Sequence, residues 1–444
     1  MAVIAPFRAF RFDLARCGDP AALVAPPYDV ISEEERQVLE KRHERNIVHL
    51  DLPRGEGDER YSRARAALDR WIAEGTLRAD ERPAIYRYEQ RFSFPDGGQG
   101  REYVRRGFIA LLRLEPLSAR VVLPHEHTLA GPKRDRLMLM RATRAHFSQV
   151  FTLYRDPAGE AEAALAPWDE RPPALDAVTA DGCRHRLWVV DDARAIARVA
   201  AVLASRQVMI ADGHHRYETM LALQAELRPA DRPMGASMAD WGTVFFARAE
   251  DPGLLVLPTH RLVSGLPAAV LSGLAERARP WFEISPGPEI TAESIEARLR
   301  DAGARQVTLA LRIAGRRETL WLALRPDADL SALGPPALRR LDVTVLHGLV
   351  LGPLLGIGVE AMARQSHLAY THDLPEALAR LEAGAAQAAF LMNATKVDEV
   401  LGACEAGFVL PQKSTYFQPK LATGLVLARI DPLARPELPG PSGP

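Results

Sequence analysis

A chain of 444 residues with 47% hydrophobic side chains can bury a large core and has the length of two or three domains. Its 56 Lys plus Arg against 57 Asp plus Glu leave a net charge of −1, without the basic excess of a dedicated nucleic-acid binder, and a charged share of 25% excludes disorder of the whole chain. The 3 cysteines, Cys17, Cys183 and Cys404, stand far apart without Cys-x-x-Cys spacing, which argues against a structural zinc or disulfide framework and suits a reduced, cytoplasmic setting.

Met1 to Arg8 has no basic segment leading a long apolar run, so no signal peptide is expected. Ser32 with Glu35 three residues on forms a capping box and predicts a helix to about His43. A second helix is expected from Arg60 to Glu74, stopped by Gly75. Ile85 to Phe94 alternates like a strand, Asp96-Gly97-Gly98 has hairpin chemistry, and Tyr103 to Leu112 returns as its partner. A helix over Arg134–Arg144 and strands over Val150–Tyr154 and Leu187–Val190 follow, then a helix over Ala193–Ser205. The apolar run Gln207–Ala211 ends at Asp212-Gly213, and from His214 the pattern turns helical to Leu227. Further strands are expected at Val244–Arg248, Leu254–Pro258, Val307–Ile313, Glu318–Leu324, Ala388–Met392 and Leu425–Ile430. Helices are expected at Ala337–Gly352, Leu374–Ala383 and Val397–Cys404. The most apolar window, Leu346 to Val359, is too short to span a bilayer. Hairpins mixed with helices predict an α/β or α+β fold with mixed sheets. The expected division is an N-terminal part over 1–235, a C-terminal α/β part over 236–431 and a Pro-rich, disordered tail over 432–444.

The strongest chemical signal is Asp212-Gly213-His214-His215-Arg216. A strand ends, glycine permits a tight turn, and a helix opens at once. Helix N-termini expose unpaired N–H groups with a partial positive charge, so they attract phosphate. Asp212 can hold magnesium or accept a proton; its plain alternative is a helix cap with two loop histidines behind it. A second cluster is Pro124-His125-Glu126-His127-Thr128, followed by Lys133 and Arg136. The His-x-His pair can bind a metal, Glu126 can act as a general base, and Lys133 and Arg136 can clamp phosphate, against the alternative of a solvated loop. A third is the loop carrying Lys413, Ser414, Thr415 and Lys420, which lacks the upstream glycines of a Walker motif and also reads as an ordinary surface loop. Tyr28, Asp29, His260 and Arg261 are weaker candidates for substrate contact.

Together Ala-Pro-Pro-Tyr-Asp-Val-Ile-Ser, the His-Glu-His-Thr loop, Ala-Asp-Gly-His-His-Arg-Tyr-Glu, Leu-Pro-Thr-His-Arg and Lys-Ser-Thr-Tyr-Phe-Gln-Pro-Lys resemble one bacterial and archaeal family, domain of unknown function ten-fifteen, from about Pro6 to Ile430. The Asp-Gly-His-His-Arg-Tyr-Glu stretch is also similar to motifs of sulfiredoxin, of ParB proteins and of the free-serine kinases in that nucleotide-binding superfamily. That resemblance implies a ParB/sulfiredoxin-like core in which Gly213, His215 and Arg216 touch phosphate, with Asp212 near the metal or the acceptor hydroxyl. The reactive cysteine of sulfiredoxin is replaced by His214, and neither a helix-turn-helix nor a DNA-binding charge accompanies the ParB-like motif.

The reading that results is a small-molecule kinase with free L-serine as best candidate, using ATP, ADP or pyrophosphate and Mg2+. Asp212, Glu126 and His215 are the expected catalytic residues. Gly213, His214, Arg216, Lys133, Arg136, Lys413, Ser414, Thr415 and Lys420 are the expected phosphate or nucleotide contacts. Tyr28, Asp29, His260 and Arg261 would bind substrate, and Asp212 the metal. The expected partners are small molecules only, with no membrane or nucleic acid. Two alternatives stay open: a nucleotide-binding regulator without turnover, and a metal-dependent hydrolase with His125, His127 and His214 as ligands.

Overall fold

The computed structural model describes residues 1–438 except 97, 98, 127, 129, 229, 230 and 365. A mixed sheet of nine strands forms the first half. Its path runs Val122–Leu123, Val208–Asp212, Val150–Tyr154, Trp241–Arg248, Gln99–Arg113, Ile85–Asp96, Arg184–Val190 and Leu175–Val178, with Ile4–Ala5 beside Gln99–Arg113. Two neighbour pairs are parallel, Val208–Asp212 with Val122–Leu123 and Trp241–Arg248 with Val150–Tyr154; the other pairs are antiparallel. Trp241–Arg248 sits inside this sheet, whose strands therefore run past residue 235.

Alternation along the strands creates two faces. Phe108, Val244, Phe246 and Ile210 pack under the helices Glu160–Asp169, Ala193–Leu203 and His214–Leu227. Phe245, Phe151, Met209 and Ala211 point the other way, onto Phe417, Leu421 and Leu425 of the C-terminal segment. A separate core joins the helices Glu33–Arg42 and Glu59–Ala73 through Leu39, Tyr61, Leu68 and Trp71. Ser32 caps the first of these by accepting from the Glu35 amide at 3.1 Å, as its capping box predicts.

The second sheet orders Phe282–Gly287, Thr319–Leu324, Thr308–Ile313, Ala388–Leu391, His260–Val263 and Leu368–Thr371. Two short ribbons stitch the C-terminus to the rest, Tyr416–Gln418 on Leu255–Leu257 and Ala428–Arg429 on Ala145–His146. The helix expected over Ala337–Gly352 is broken: Asp342–Val345 is α-helical, Leu346–Leu351 is π-helical and Gly352–Leu355 returns to α. The expected strand Leu425–Ile430 shortens to Ala428–Arg429. The Pro432 and Leu433 carbonyls accept from Arg232, and the Ala434 carbonyl accepts from the Met238 amide; residues 439–444 of the expected tail lie outside the described residues. The Gly97-Gly98 turn lies outside the described residues.

Candidate functional site

The apolar strand Val208–Asp212 ends in a β-bulge between Ile210 and Asp212, opposite Thr152 and Phe151, which re-aims the Asp212 side chain. Gly213 follows at φ +93°, and a Cβ there would lie 2.9 Å from Nε of Arg216, so glycine is required twice over. The helix His214–Leu227 then opens without a side-chain cap, and its first amide bonded within the helix is Tyr217 N–H to Gly213 C=O. Its N-terminus thus presents amides and a partial positive charge beside the bulge.

Asp212 is held by two cations. Lys420 Nζ donates to Oδ1 at 2.7 Å and Arg216 Nη2 to Oδ2 at 2.5 Å. Burial alone would raise this carboxyl, but the charges of Lys420 and Arg216 prevail and hold it well below the usual carboxylate range. Burial opposes the Lys420 ammonium as well, and Asp212 prevails in raising it. Lys420 also lies 4.2 Å from the ring centre of Tyr416, which stacks on His372 at 3.6 Å.

The histidine loop is locked in the same way. His125 Nδ1 donates to the Ile210 carbonyl at 2.6 Å, so its Nε2 accepts from the Thr415 hydroxyl at 2.8 Å. His125 N–H donates to Nε2 of His214 at 3.2 Å, leaving His214 Nδ1 3.8 Å from Glu126 Oε1. Burial, and after it the neighbouring His125, keeps His214 neutral. Glu126 Oε2 accepts from the Lys413 amide at 3.3 Å. His215 is half-buried; burial lowers its pKa against the charges of Glu126, Asp29 and Glu218. Lys133 pairs with Glu218 at 2.7 Å and bonds Thr128 at 3.0 Å.

The structure therefore brings together Asp212, Gly213, His215, Glu126, Lys133, Lys413, Thr415 and Lys420, with Tyr28 and Asp29 alongside: Asp29 acts electrostatically on Lys420, Tyr416 and His215. Other candidate residues are enclosed by their neighbours. Arg216 donates to the Gln149 carbonyl as well as to Asp212, and Arg136 is enclosed by Asp51, Asp135 and the Tyr28 ring at 4.2 Å. Burial pushes that Tyr28 phenol up to about 12. The Ser414 hydroxyl donates to the Pro411 carbonyl, and His214 is turned to His125. His260 is buried in the second sheet, where its Nδ1 accepts from the Met392 amide at 3.3 Å; Arg261 is buried too, and reaches the Lys413 carbonyl from behind at 3.0 Å. A metal on Asp212 would share the carboxylate with Lys420 and Arg216. Both ring nitrogens of His125 are bonded and His127 lies outside the described residues; among the described residues no group of three His, Cys, Asp or Glu is placed to hold a metal ion.

Several supporting residues escape a reading of motifs. Arg105 donates to the Pro419 carbonyl at 2.5 Å and to Gln90 Oε1, while Gln90 Nε2 donates to the Lys420 carbonyl at 2.9 Å. These two strand residues carry the Lys420 loop; the alternation of Ile85–Phe94 placed Gln90 on an inward face, which was the available signal. Beside Tyr416 and Lys420 a cavity of about 230 Å³ opens, walled by Val24, Pro26, Leu39, Arg42, His185 and Leu421.

The model of a family of proteins of unknown function, DUF1015, matches residues 4–344. The chain belongs to the DUF1015 family. No curated protein matches the sequence of this DUF1015 chain. Among solved structures it is similar to a conserved hypothetical protein from Pyrococcus furiosus, at 14% identity and a TM-score of 0.33 over 67% of this chain and 86% of that one. It is similar to a free serine kinase in complex with AMP at 13% identity and a TM-score of 0.35, over 67% and 83% of the two chains. It is also similar to SbnI with a C-terminal truncation from Staphylococcus aureus, at 11% identity and a TM-score of 0.34 over 73% and 87%. Among the described residues no helix is long and apolar enough to cross a membrane.

Proposed function

We propose that the protein is a phosphotransferase that moves a phosphoryl group from ATP, ADP or pyrophosphate to the hydroxyl of a small metabolite, with free L-serine as first candidate. The observation that carries this reading is the convergence of Lys413, Lys420 and Lys133 on the uncapped N-terminus of the helix His214–Leu227, with Glu126 and His215 at the same place. Phosphoryl transfer asks little covalent chemistry of a protein. It needs fixed positive charge around the phosphates and one group to take a proton.

The Gly213–His215 turn and the exposed Lys413 would receive the phosphates, and the Lys420–Asp212 pair would fix the loop that faces them. Asp212, locked between two cations and strongly acidic, is a poor base. Glu126 is the better one: it is partly exposed, and the Lys413 amide, which donates to its Oε2, holds its orientation. The acceptor oxygen would attack the terminal phosphorus, its proton passing to Glu126 while the bond to the bridging oxygen breaks. Magnesium prefers oxygen ligands and would arrive with the donor phosphates; the exposed carboxylate of Asp29 suits it better than Asp212 does.

The test is to incubate the purified chain with magnesium, L-serine and each donor in turn and to look for phosphoserine by phosphorus NMR. Product should form, and Glu126→Gln should slow it by roughly a hundredfold or more while donor affinity is retained. Product formed equally fast by Glu126→Gln would remove Glu126 from the chemistry. The locked Asp212 favours a second reading, a nucleotide-binding regulator without turnover. Saturable nucleotide binding without product from any hydroxylated acceptor would decide for it.

A further inference from the structure

Behind the Lys413 loop, in the second half of the chain, lies a cavity of about 630 Å³, within the range of small-molecule sites. Leu333, Leu338, Met362, Tyr370 and Leu410 make its walls apolar, and among the described residues none that lines it carries a charge. One wall is the π-helical segment Leu346–Leu351, a rare geometry that is frequent at functional sites.

The polar groups at this cavity are hydrogen-bond donors or lack a partner. Arg261, fully buried, donates from Nε to Nε2 of His347 at 3.3 Å, so the His347 imidazole must be neutral with its proton on Nδ1. His347 lines the cavity, and among the described residues nothing accepts from that Nδ1. Thr344 also lines it, and its buried hydroxyl has no partner. Arg261 itself meets only the carbonyls of Thr259 and Lys413, Met392 Sδ at 3.3 Å, His347 and the Tyr370 ring at 5.4 Å; among the described residues no carboxylate pairs with it. Burial lowers its pKa to about 10, which leaves it a cation at neutral pH. A buried cation without a counter-ion is costly, and an anion in the adjoining cavity would relieve it.

We propose that this cavity is a second ligand site, for a small carboxylate with an apolar body, the carboxylate held by His347 and Thr344 over the charge of Arg261. Among the described residues no acidic group lines the cavity to receive an ammonium, so simple acids fit better than zwitterionic amino acids. Occupation would stiffen the loop in front of it: Leu410 N–H donates to the His125 carbonyl at 2.8 Å, and Arg261 grips the Lys413 carbonyl.

Calorimetry on the full chain with octanoate and its neutral analogue octanamide tests this, without nucleotide, so the outcome is independent of the kinase reading. Octanoate should saturate one site per chain and bind at least about tenfold more tightly than octanamide. Ala332→Trp, at the exposed mouth, should abolish binding without changing the melting temperature. Arg261→Gln, where it folds, should bring the two affinities close together, and octanoate should slow hydrogen exchange at Leu410 and Lys413 in the parent chain. Absence of saturable binding, equal affinity for octanoate and octanamide in the parent chain, or unchanged binding by Ala332→Trp would overturn the proposal.

Discussion

Arg216 follows two histidines at a helix start, a setting that suits a phosphate ligand, yet the residue is only 2% exposed, its guanidinium bonded to a main-chain carbonyl and Asp212. Removing it leaves the Gln149 carbonyl short of a donor and Asp212 with one cation instead of two. Arg216→Ala should therefore cost about 3–5 kcal/mol of stability, read as a lower urea midpoint. A mutant as stable as the parent but deficient in nucleotide binding would return Arg216 to the ligand face. Lys420 differs in kind, because its ammonium is shared between Asp212 and the Tyr416 ring at the mouth of the smaller cavity.

At the scale of elements, the loop from Pro411 to Gly424 has little regular structure and is held by its neighbours. Arg105 and Gln90 hold its Gln418, Pro419 and Lys420 carbonyls, Thr395 donates to the Ser414 carbonyl, and Gly424 N–H reaches the Phe147 carbonyl. Gln90→Leu strips the Lys420 carbonyl of its donor and Arg105 of one acceptor, an expected loss of about 2–4 kcal/mol for two buried groups. Hydrogen exchange should quicken at 418–420 before the sheet opens, and protection that persists there would mean that the Tyr416–Gln418 ribbon holds the loop by itself.

For the whole molecule, pH is the sharper probe. Burial keeps His146 and His185 neutral, with pKa values lowered to about 4, and His260 lowered to about 3. Released on unfolding, each would titrate near its ordinary value of about 6.5. Between those limits the unfolded chain binds more protons, so stability must fall as the pH drops, by at most about 1.4 kcal/mol per pH unit for each histidine. Asp342 works against this: burial pushes its carboxyl up to about 7, and it takes up a proton in the folded state first. Asp51 and Asp251 are pushed up by burial as well, but His214, His215, His347 and His372 are lowered alongside the first three, so the histidines outnumber the carboxyls and the slope stays positive. The urea midpoint should be lower at pH 5 than at pH 7, and an equal or higher midpoint at pH 5 would show that these histidines are not buried in their neutral form.

Local pattern carried much of the architecture. The strand, glycine turn and helix around Asp212 were legible because apolar run, obligatory glycine and helical periodicity follow one another within a few residues, and each is a short-range property. The capping box at Ser32 and the hairpin from Ile85 to Leu112 were legible for the same reason. The broken helix at Leu346–Leu351 was not, since π-helical winding depends on what packs against it. Nor could motif order say which charged residues meet a ligand. Arg136, Arg216 and Lys420 look alike along the chain; Asp51 and Gln149, each distant in sequence from its partner, enclose the two arginines, while Lys420, paired with the distant Asp212, stands at a cavity. The sequence by itself determined the elements and the kind of chemistry available. The direction each charge faces was decided only by the tertiary structure, because burial and ion pairing depend on groups that folding alone brings within reach.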